Sequence, residues 1–347
     1  MKRIGLLCTL LLCIFYSQSF AQVSVGEKGT LSGTVFSDYY WMAQNHDNAI
    51  EGQNGFWFRR IYLTYDRKFS DSFSSRVRLE AASEGDFGSE PEMIPNIKDA
   101  YLKWQNDQHQ IYAGISSTPT WGLVEDVWGY RSVEKSPQDL YDFGSSRDFG
   151  LSFQGALGQE NDLSYHFFVG NGNSNRPDVN SGKKVMLSLG YKITDNIVVQ
   201  GYADYNDTAD DPTAQDYYTG QFFAGYRGNG FNAGALYSYQ HRETGIGAAD
   251  IELDLVSAFA NVTINDTVSG YLRADHLFDP YPGGSDNSYI PFAEGVESTF
   301  MVAGADILLE EQIHLMPNVE VIAYGENAFG QTPATDVIPR LTLFYEF

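Results

Sequence analysis

The chain has 347 residues and a formal charge of −23, with 23 Tyr, 23 Phe, 34 Gly and two Cys. That acidity excludes nucleic acid as a natural partner. Both cysteines, Cys8 and Cys13, lie in the first apolar stretch, so the remainder has no disulfide, thiolate metal site or Cys nucleophile.

Lys2 and Arg3 precede the apolar run Gly5 to Tyr16, and Ser19-Phe20-Ala21 has a small-x-small pattern. This predicts a secretory signal peptide over 1–21, with a mature chain from Gln22. The run is short for a membrane span and no stop-transfer pattern follows. Losing Lys2 and Arg3 takes the charge from −23 to −25.

Sixteen alternating segments follow, starting near Leu31, Phe58, Ser75, Ile97, Gln110, Phe149, Leu163, Val185, Ile197, Tyr217, Phe231, Ile251, Val268, Thr299, Asn318 and Val337. Their connections alternate in length. Ser70-Asp71-Ser72, Asn106-Asp107-Gln108, Thr194-Asp195-Asn196, Gly228-Asn229-Gly230 and Asn265-Asp266-Thr267 are tight-turn sequences. Between them lie long loops over 43–54, 83–96, 116–148, 171–183, 207–216, 242–250, 279–298 and 327–336. A soluble sandwich has no reason to keep this rhythm. A transmembrane antiparallel β-barrel of about 16 strands does, with short periplasmic turns, long extracellular loops and both termini on the periplasmic side. Its aromatic residues would form girdles at the two interfaces. The predicted domain is one barrel over 22–347.

Individual segments read as two-sided. Tyr271, Arg273 and Asp275 alternate with Gly270, Leu272 and Ala274, and Gln200, Tyr202 and Asp204 with Val199, Gly201 and Ala203. In the segment 251–264 the apolar phase slips from Leu253 and Leu255 to Val256 and Ala258, which predicts a bulge. Pro317 and Pro339 are expected at strand starts, where a missing donor is tolerated. At the end, Leu341, Leu343, Tyr345 and Phe347 share one face, and Arg340, Thr342, Phe344 and Glu346 the other. A final aromatic on such a strand resembles the signal read by the barrel-assembly machinery, so Phe347 is expected to engage it.

Acidic residues gather in loops, for example Glu84, Asp86, Asp207, Asp216, Asp279 and Asp286. No loop has EF-hand spacing, so a solvated rim is expected and no metal or other cofactor. The 116–148 loop carries Trp121, Leu123, Val124, Val127, Trp128, Tyr130, Leu140, Tyr141 and Phe143. An exposed loop seldom holds so much apolar surface. It is expected to fold inward and constrict the lumen, which side chains of a sixteen-stranded barrel cannot fill. Packing over the top or against a neighbouring subunit is the alternative.

A basic stripe runs along the early strands. Alternation places Arg60, Arg76, Arg78 and Lys103 in the lumen, with Arg131, Lys135 and Arg147 added by the long loop. Such cations would replace part of an anion's hydration shell. Glu80, Asp99 and Tyr101 share that wall, so the charges can equally pair with one another. Arg273 is expected in the lumen as well, and Arg59 outside near the rim, snorkelling to the interface.

Several stretches carry a family likeness. Gly55-Phe-Trp-Phe-Arg-Arg-Ile-Tyr-Leu63 resembles the paired-Arg strand of the phosphate-selective (O/P type) porins. Tyr112-Ala-Gly114, Pro119, Tyr130-Arg-Ser-Val-Glu-Lys135 and Ser146-Arg-Asp-Phe-Gly-Leu-Ser-Phe-Gln-Gly155 are similar to that family's strand, constriction loop and following strand. Leu315-Met-Pro-Asn-Val319 resembles a late-strand motif of related porins. The resemblance implies a sixteen-stranded outer-membrane barrel of a Gram-negative-type bacterium, commonly a homotrimer in outer-membrane lipid, passing small ions and solutes. It matches Arg60, Arg131, Glu134, Lys135 and Arg147 to motif positions. The long series of lumen cations expected of a phosphate channel is missing from this acidic chain.

The expected function is therefore passive diffusion of small hydrophilic solutes and ions, with an anion- or phosphate-selective channel as the alternative. A barrel enzyme or adhesin is the rival class. Six histidines are present, but no Gly-x-Ser-x-Gly occurs, and the neighbours Asp275 and His276 should point to opposite faces. No catalytic residue is assigned.

Overall fold

The computed structural model describes residues 22–89, 92–158, 160, 162–178, 180–209, 216–244 and 249–347. The expected signal peptide over 1–21 lies outside them. A short strand, β1 (Val23–Val25), forms a hairpin arm on β2 (Gly29–Trp41). Then come β3 (Asn54–Lys68), β4 (Phe73–Ala81), β5 (Asn96–Gln105) and β6 (His109–Ser117). Two short helices, α1 (Gly122–Trp128) and α2 (Pro137–Leu140), lie in the longest loop. After them run β7 (Arg147–Leu157), β8 (Leu163–Gly170), β9 (Lys184–Lys192), β10 (Ile197–Asn206), β11 (Tyr217–Gly228) and β12 (Phe231–Arg242). The last are β13 (Ile251–Asn265), β14 (Val268–Leu277), β15 (Ser298–Glu310), β16 (Ile313–Tyr324) and β17 (Asp336–Glu346).

Each strand from β2 to β17 pairs antiparallel with its chain neighbour, and β17 pairs back onto β2, with Arg340 opposite Tyr40 and Glu346 opposite Thr34. The result is a closed sixteen-stranded antiparallel barrel with no free edge. The tight turns form for local reasons. Asn106 Oδ1 accepts the N–H groups of Gln108 and His109, and Asn265 Oδ1 those of Thr267 and Val268.

The wall is inverted relative to a soluble protein. On β9, Lys184, Met186 and Ser188 are buried inside while Val185, Leu187 and Leu189 are exposed outside. Exposed aromatics stand near both ends: Tyr39, Trp41, Tyr205 and Tyr218 toward the loops, and Tyr191, Tyr226, Phe231 and Phe347 toward the turns. The backbone of Phe347 exchanges both hydrogen bonds with Gly33 across the seam. No helix is long and apolar enough to cross a membrane, which says nothing of strands.

The long loop folds into the barrel. Trp121, Val124, Val127, Trp128, Leu140, Tyr141 and Phe143 pack on Phe223, Leu236, Leu253, Leu255, Phe259, Tyr271 and Phe300. Each such side chain contributes about 1.5–3 kcal/mol when fully buried. Tyr281, Tyr289, Ile290 and Phe292 of the β14–β15 loop join the same core.

Three sequence expectations need correction. First, β13 shows no bulge at Leu255; its register shifts only between Thr263 and Asn265. Leu253, Leu255 and Phe259 face inward because the long loop covers them, so an apolar inner face imitates a slipped phase. Second, Pro317 lies inside β16, which begins at Ile313. Its missing donor falls where the β15–β16 ladder is interrupted, between Asn318 opposite Gly304 and Leu315 opposite Ile307. Pro339 is the fourth residue of β17.

Third, Arg59 does not snorkel. Phe36 pairs with Arg60 and Ser37 with Phe58, so Arg59 is the extra residue of a bulge. Both adjacent arginines then point inward, and Arg59 is only 5% exposed. The same device recurs on β5, where Arg78 pairs with Asp99 and Leu79 with Ile97. Lys98 is the extra residue and turns inward beside Asp99.

Candidate functional site

Two inward surfaces face each other across the lumen: the wall of β3–β5 and the inward loop. On the wall, Glu80 forms ion pairs with Arg60 and, at 2.9 Å, with Lys98. Asp99 pairs with Arg147 and lies 3.4 Å from Arg78, whose Nε also donates to Thr64 at 2.8 Å. Arg78 stacks over the Tyr62 ring. Arg76 binds Asp66 through two bonds of 2.8 and 2.9 Å, and Lys103 lies over Tyr112.

From the loop, Arg131 pairs with Asp139 at 3.0 Å and Glu125 at 3.4 Å. Burial opposes the charge on Arg131, but Asp139 and Glu125 outweigh it and raise its pKa. Burial pushes the Glu125 carboxyl up, only partly offset by Arg131. Burial acts on Asp139 in the same sense, yet Arg131 and Lys135 outweigh it and hold the carboxyl below its usual range.

Arg78, Lys98, Glu125, Arg131, Asp139 and Arg147 line one cavity of about 550 Å³, which continues past Thr34 and Glu346 toward the turn end. Arg147 also lines a second cavity of about 510 Å³ on the loop side, with Asn173, Asn206 and Tyr217. A third, of about 1010 Å³, holds Arg60 and Glu80 beneath the outer loops and shares Arg176 with the second. The first two cavities share Arg147, beside the wall cations and the loop carboxylates.

Other predicted positions sit elsewhere. Arg273 faces inward but is sealed beneath the loop, 1% exposed, paired with Asp275 and donating to the Lys135 carbonyl. Its guanidinium lies against Trp128 and Phe300. The Lys135 backbone N–H donates to Glu134 at 2.7 Å. Glu134 is buried and bonds Arg59 at 2.6 Å.

That pair belongs to a network whose members come together only when the barrel closes. Arg340 binds Glu320 and Asp38, each at 2.7 Å, and donates to the Tyr289 carbonyl. Arg59 donates to the Val133 carbonyl at 2.8 Å and lies 3.8 Å from Asp38 and 3.9 Å from Glu320. Burial would raise the Glu134 pKa, but Arg59 overrides it and holds the carboxyl far below the usual range. Strands β2, β3, β16 and β17 thus clamp both inward loops at the seam. A second clamp joins Lys184 to Asp204 at 2.7 Å and to the Tyr217 hydroxyl at 2.9 Å.

The histidines form no hydrolytic arrangement among the described residues. His276 bonds Thr299 outside while Asp275 holds Arg273 inside. Ser152 lies 2.8 Å from His166, but Ser152 is fully buried and out of reach of a substrate. No group of His, Cys, Asp or Glu suited to a metal occurs among the described residues.

No family model and no curated protein matches the chain. Solved structures do. The anion-selective porin from Comamonas acidovorans superposes with a TM-score of 0.69 and 13% identity, covering 92% of this chain and 99% of that one. OmpF of Salmonella typhi, in complex with daunomycin, gives 0.67 and 13%, covering 94% and 100%. OmpT of Vibrio cholerae gives 0.64 and 11%, also covering 94% and 100%. The shared property is the fold of outer-membrane porins.

Proposed function

We propose that the protein is an outer-membrane porin through which small hydrophilic solutes and ions diffuse passively with weak selectivity. The observation that carries this reading is the charge set where the wall meets the inward loop, which we take as the narrow zone of the lumen: Arg60, Arg78, Lys98, Arg131 and Arg147 are answered by Glu80, Asp99, Glu125 and Asp139. Cations and carboxylates nearly balance, so neither ion sign meets a large barrier. The loop over 116–148 sets the bore, because its apolar side fixes it to β11–β14 and its polar side borders the cavity.

An anion preference is the second reading. The cations on β3–β5 outnumber the carboxylates beside them, and the likeness to O/P-type porins points the same way. The remaining assignments belong to this proposal: export through the signal peptide, assembly through Phe347, and a homotrimer in outer-membrane lipid. One OmpT structure is of a trimer form. Single-channel conductance in a planar bilayer, with reversal potential in a salt gradient and added phosphate, tests it. Ohmic steps with a small reversal potential are expected. Anion preference with block by low phosphate would replace weak selectivity by the second reading, and absence of current would overturn the channel.

A further inference from the structure

The lumen wall changes character around the barrel. Where β3–β5 are charged, the turn-side half of β6–β10 presents Gln110, Gln154, Ser164, His166, Ser188 and Gln200 to a recess of about 280 Å³ under the start of α1. None of the residues lining it is Asp, Glu, Lys or Arg. The cavity across the lumen, by contrast, holds Arg78, Lys98, Glu125, Arg131, Asp139 and Arg147.

The recess is built rather than left over. Its volume is close to the lower end of small-ligand pockets, about 300 Å³. His166 Nε2 lies 2.8 Å from the Ser152 hydroxyl and 3.2 Å from the Gln154 amide, which fixes the imidazole. Ser164 donates to the Gly190 carbonyl at 3.2 Å. Gln200 is only 8% exposed, yet its Oε1 has no hydrogen-bond partner. A buried amide oxygen without a donor costs free energy until something donates to it. Leu123 and Pro119 supply an apolar side.

We propose that this recess binds a neutral polyhydroxylated solute, one or two sugar rings in size, an inference that rests on the channel reading and names the class of solute served. Amides and serine hydroxyls both donate and accept, as sugar hydroxyls do. The apolar side suits the C–H face of a sugar ring. An ion entering here would shed water and meet no counter-charge. The narrow zone then passes ions while the recess holds an uncharged solute beside it.

The test uses maltose, and glucose against glucuronate, a pair of one ring size that differs by a carboxylate. Saturation-transfer NMR on the detergent-solubilised protein reads binding, and single-channel currents in KCl read the pore. Saturable binding of maltose and glucose is expected, with glucuronate weaker than glucose by about tenfold or more. A Cβ at Gly122, which lines the recess, would meet nothing within 4 Å. Gly122→Phe should therefore fill the space and abolish maltose binding. Gln200→Leu should weaken binding about fivefold through one lost hydrogen bond, and it decides the matter if Gly122→Phe does not fold. KCl current without saturable maltose binding would overturn the recess and leave the channel standing. Maltose binding without current would keep the recess and overturn the channel. Equal binding of glucose and glucuronate, or binding untouched by both variants, would also overturn it.

Discussion

Individual charges in the narrow zone are separable by measurement. Arg78 is held by Thr64, Tyr62 and Asp99 and lines the cavity. Arg78→Gln should remove one cation from the path, free Asp99 toward Arg147 and shift the reversal potential toward cations by a few millivolts to about ten in a tenfold salt gradient. An unchanged potential would remove Arg78 from the path. Glu125 gives the pH response. Burial raises its pKa, so on acidification it takes up a proton at a higher pH than an ordinary glutamate, near 4.3. The zone then loses a negative charge, and cation preference should fall as pH drops from neutral toward that range. Glu125→Gln should reproduce the acid state at pH 7 and flatten the response. At this scale the sequence was informative wherever a charge stands alone in an alternating strand, as Arg76, Arg78 and Lys103 do. It misled at Arg59 and left Lys98 unnoticed. The missed signal was adjacency: Arg59-Arg60 and Lys98-Asp99 each put two charges side by side in a strand. Strict alternation would send one of them into lipid, which is costly, and a bulge brings both inside.

At the scale of elements, the inward loop is held by two different forces. Its apolar side packs on β11–β14, while its middle is tied to the seam by Arg59, which reaches both Val133 and Glu134. Replacing Arg59 by Met would leave Asp38, Glu134 and Glu320 buried against Arg340 alone. A loss of about 3–5 kcal/mol is expected, as for breaking a buried ion pair from one side. Thermal unfolding should show it, and the freed loop should add noise to the open-channel current. A variant with wild-type melting and quiet current would contradict this role of Arg59. The inward packing was legible from the aromatic content of the loop, because apolar area must be buried somewhere. Its partners were not. Leu253, Leu255 and Phe259 look like lipid-facing residues in sequence, since an apolar inner face and an apolar outer face have the same composition. The seam network was equally hidden, because Asp38 and Arg340 meet only once the barrel closes.

At the scale of the molecule, strand number and the alternation of turns and loops were readable because turn chemistry is local and the pleat has period two. Closure is a global event and rests partly on Gly33. The Phe347 ring lies over that glycine, where a Cβ would collide with it. Gly33→Val should force the ring aside and lower stability by about 1–3 kcal/mol, with less heat-stable barrel on a semi-native gel; an unaltered barrel would exclude this contact from closure. The bulge at Lys98 has a consequence for how such a chain can change length. Deleting Lys98 would leave Ile97 opposite Leu79 and Asp99 opposite Arg78, a regular ladder with every later side chain still on its own face. Deleting Leu102 instead would swap inside for outside over the rest of the strand. A single-codon loss is thus harmless to the architecture at a bulge and ruinous a few positions away, so the bulges are where lineages of this barrel can add or drop a pore charge in one genetic step.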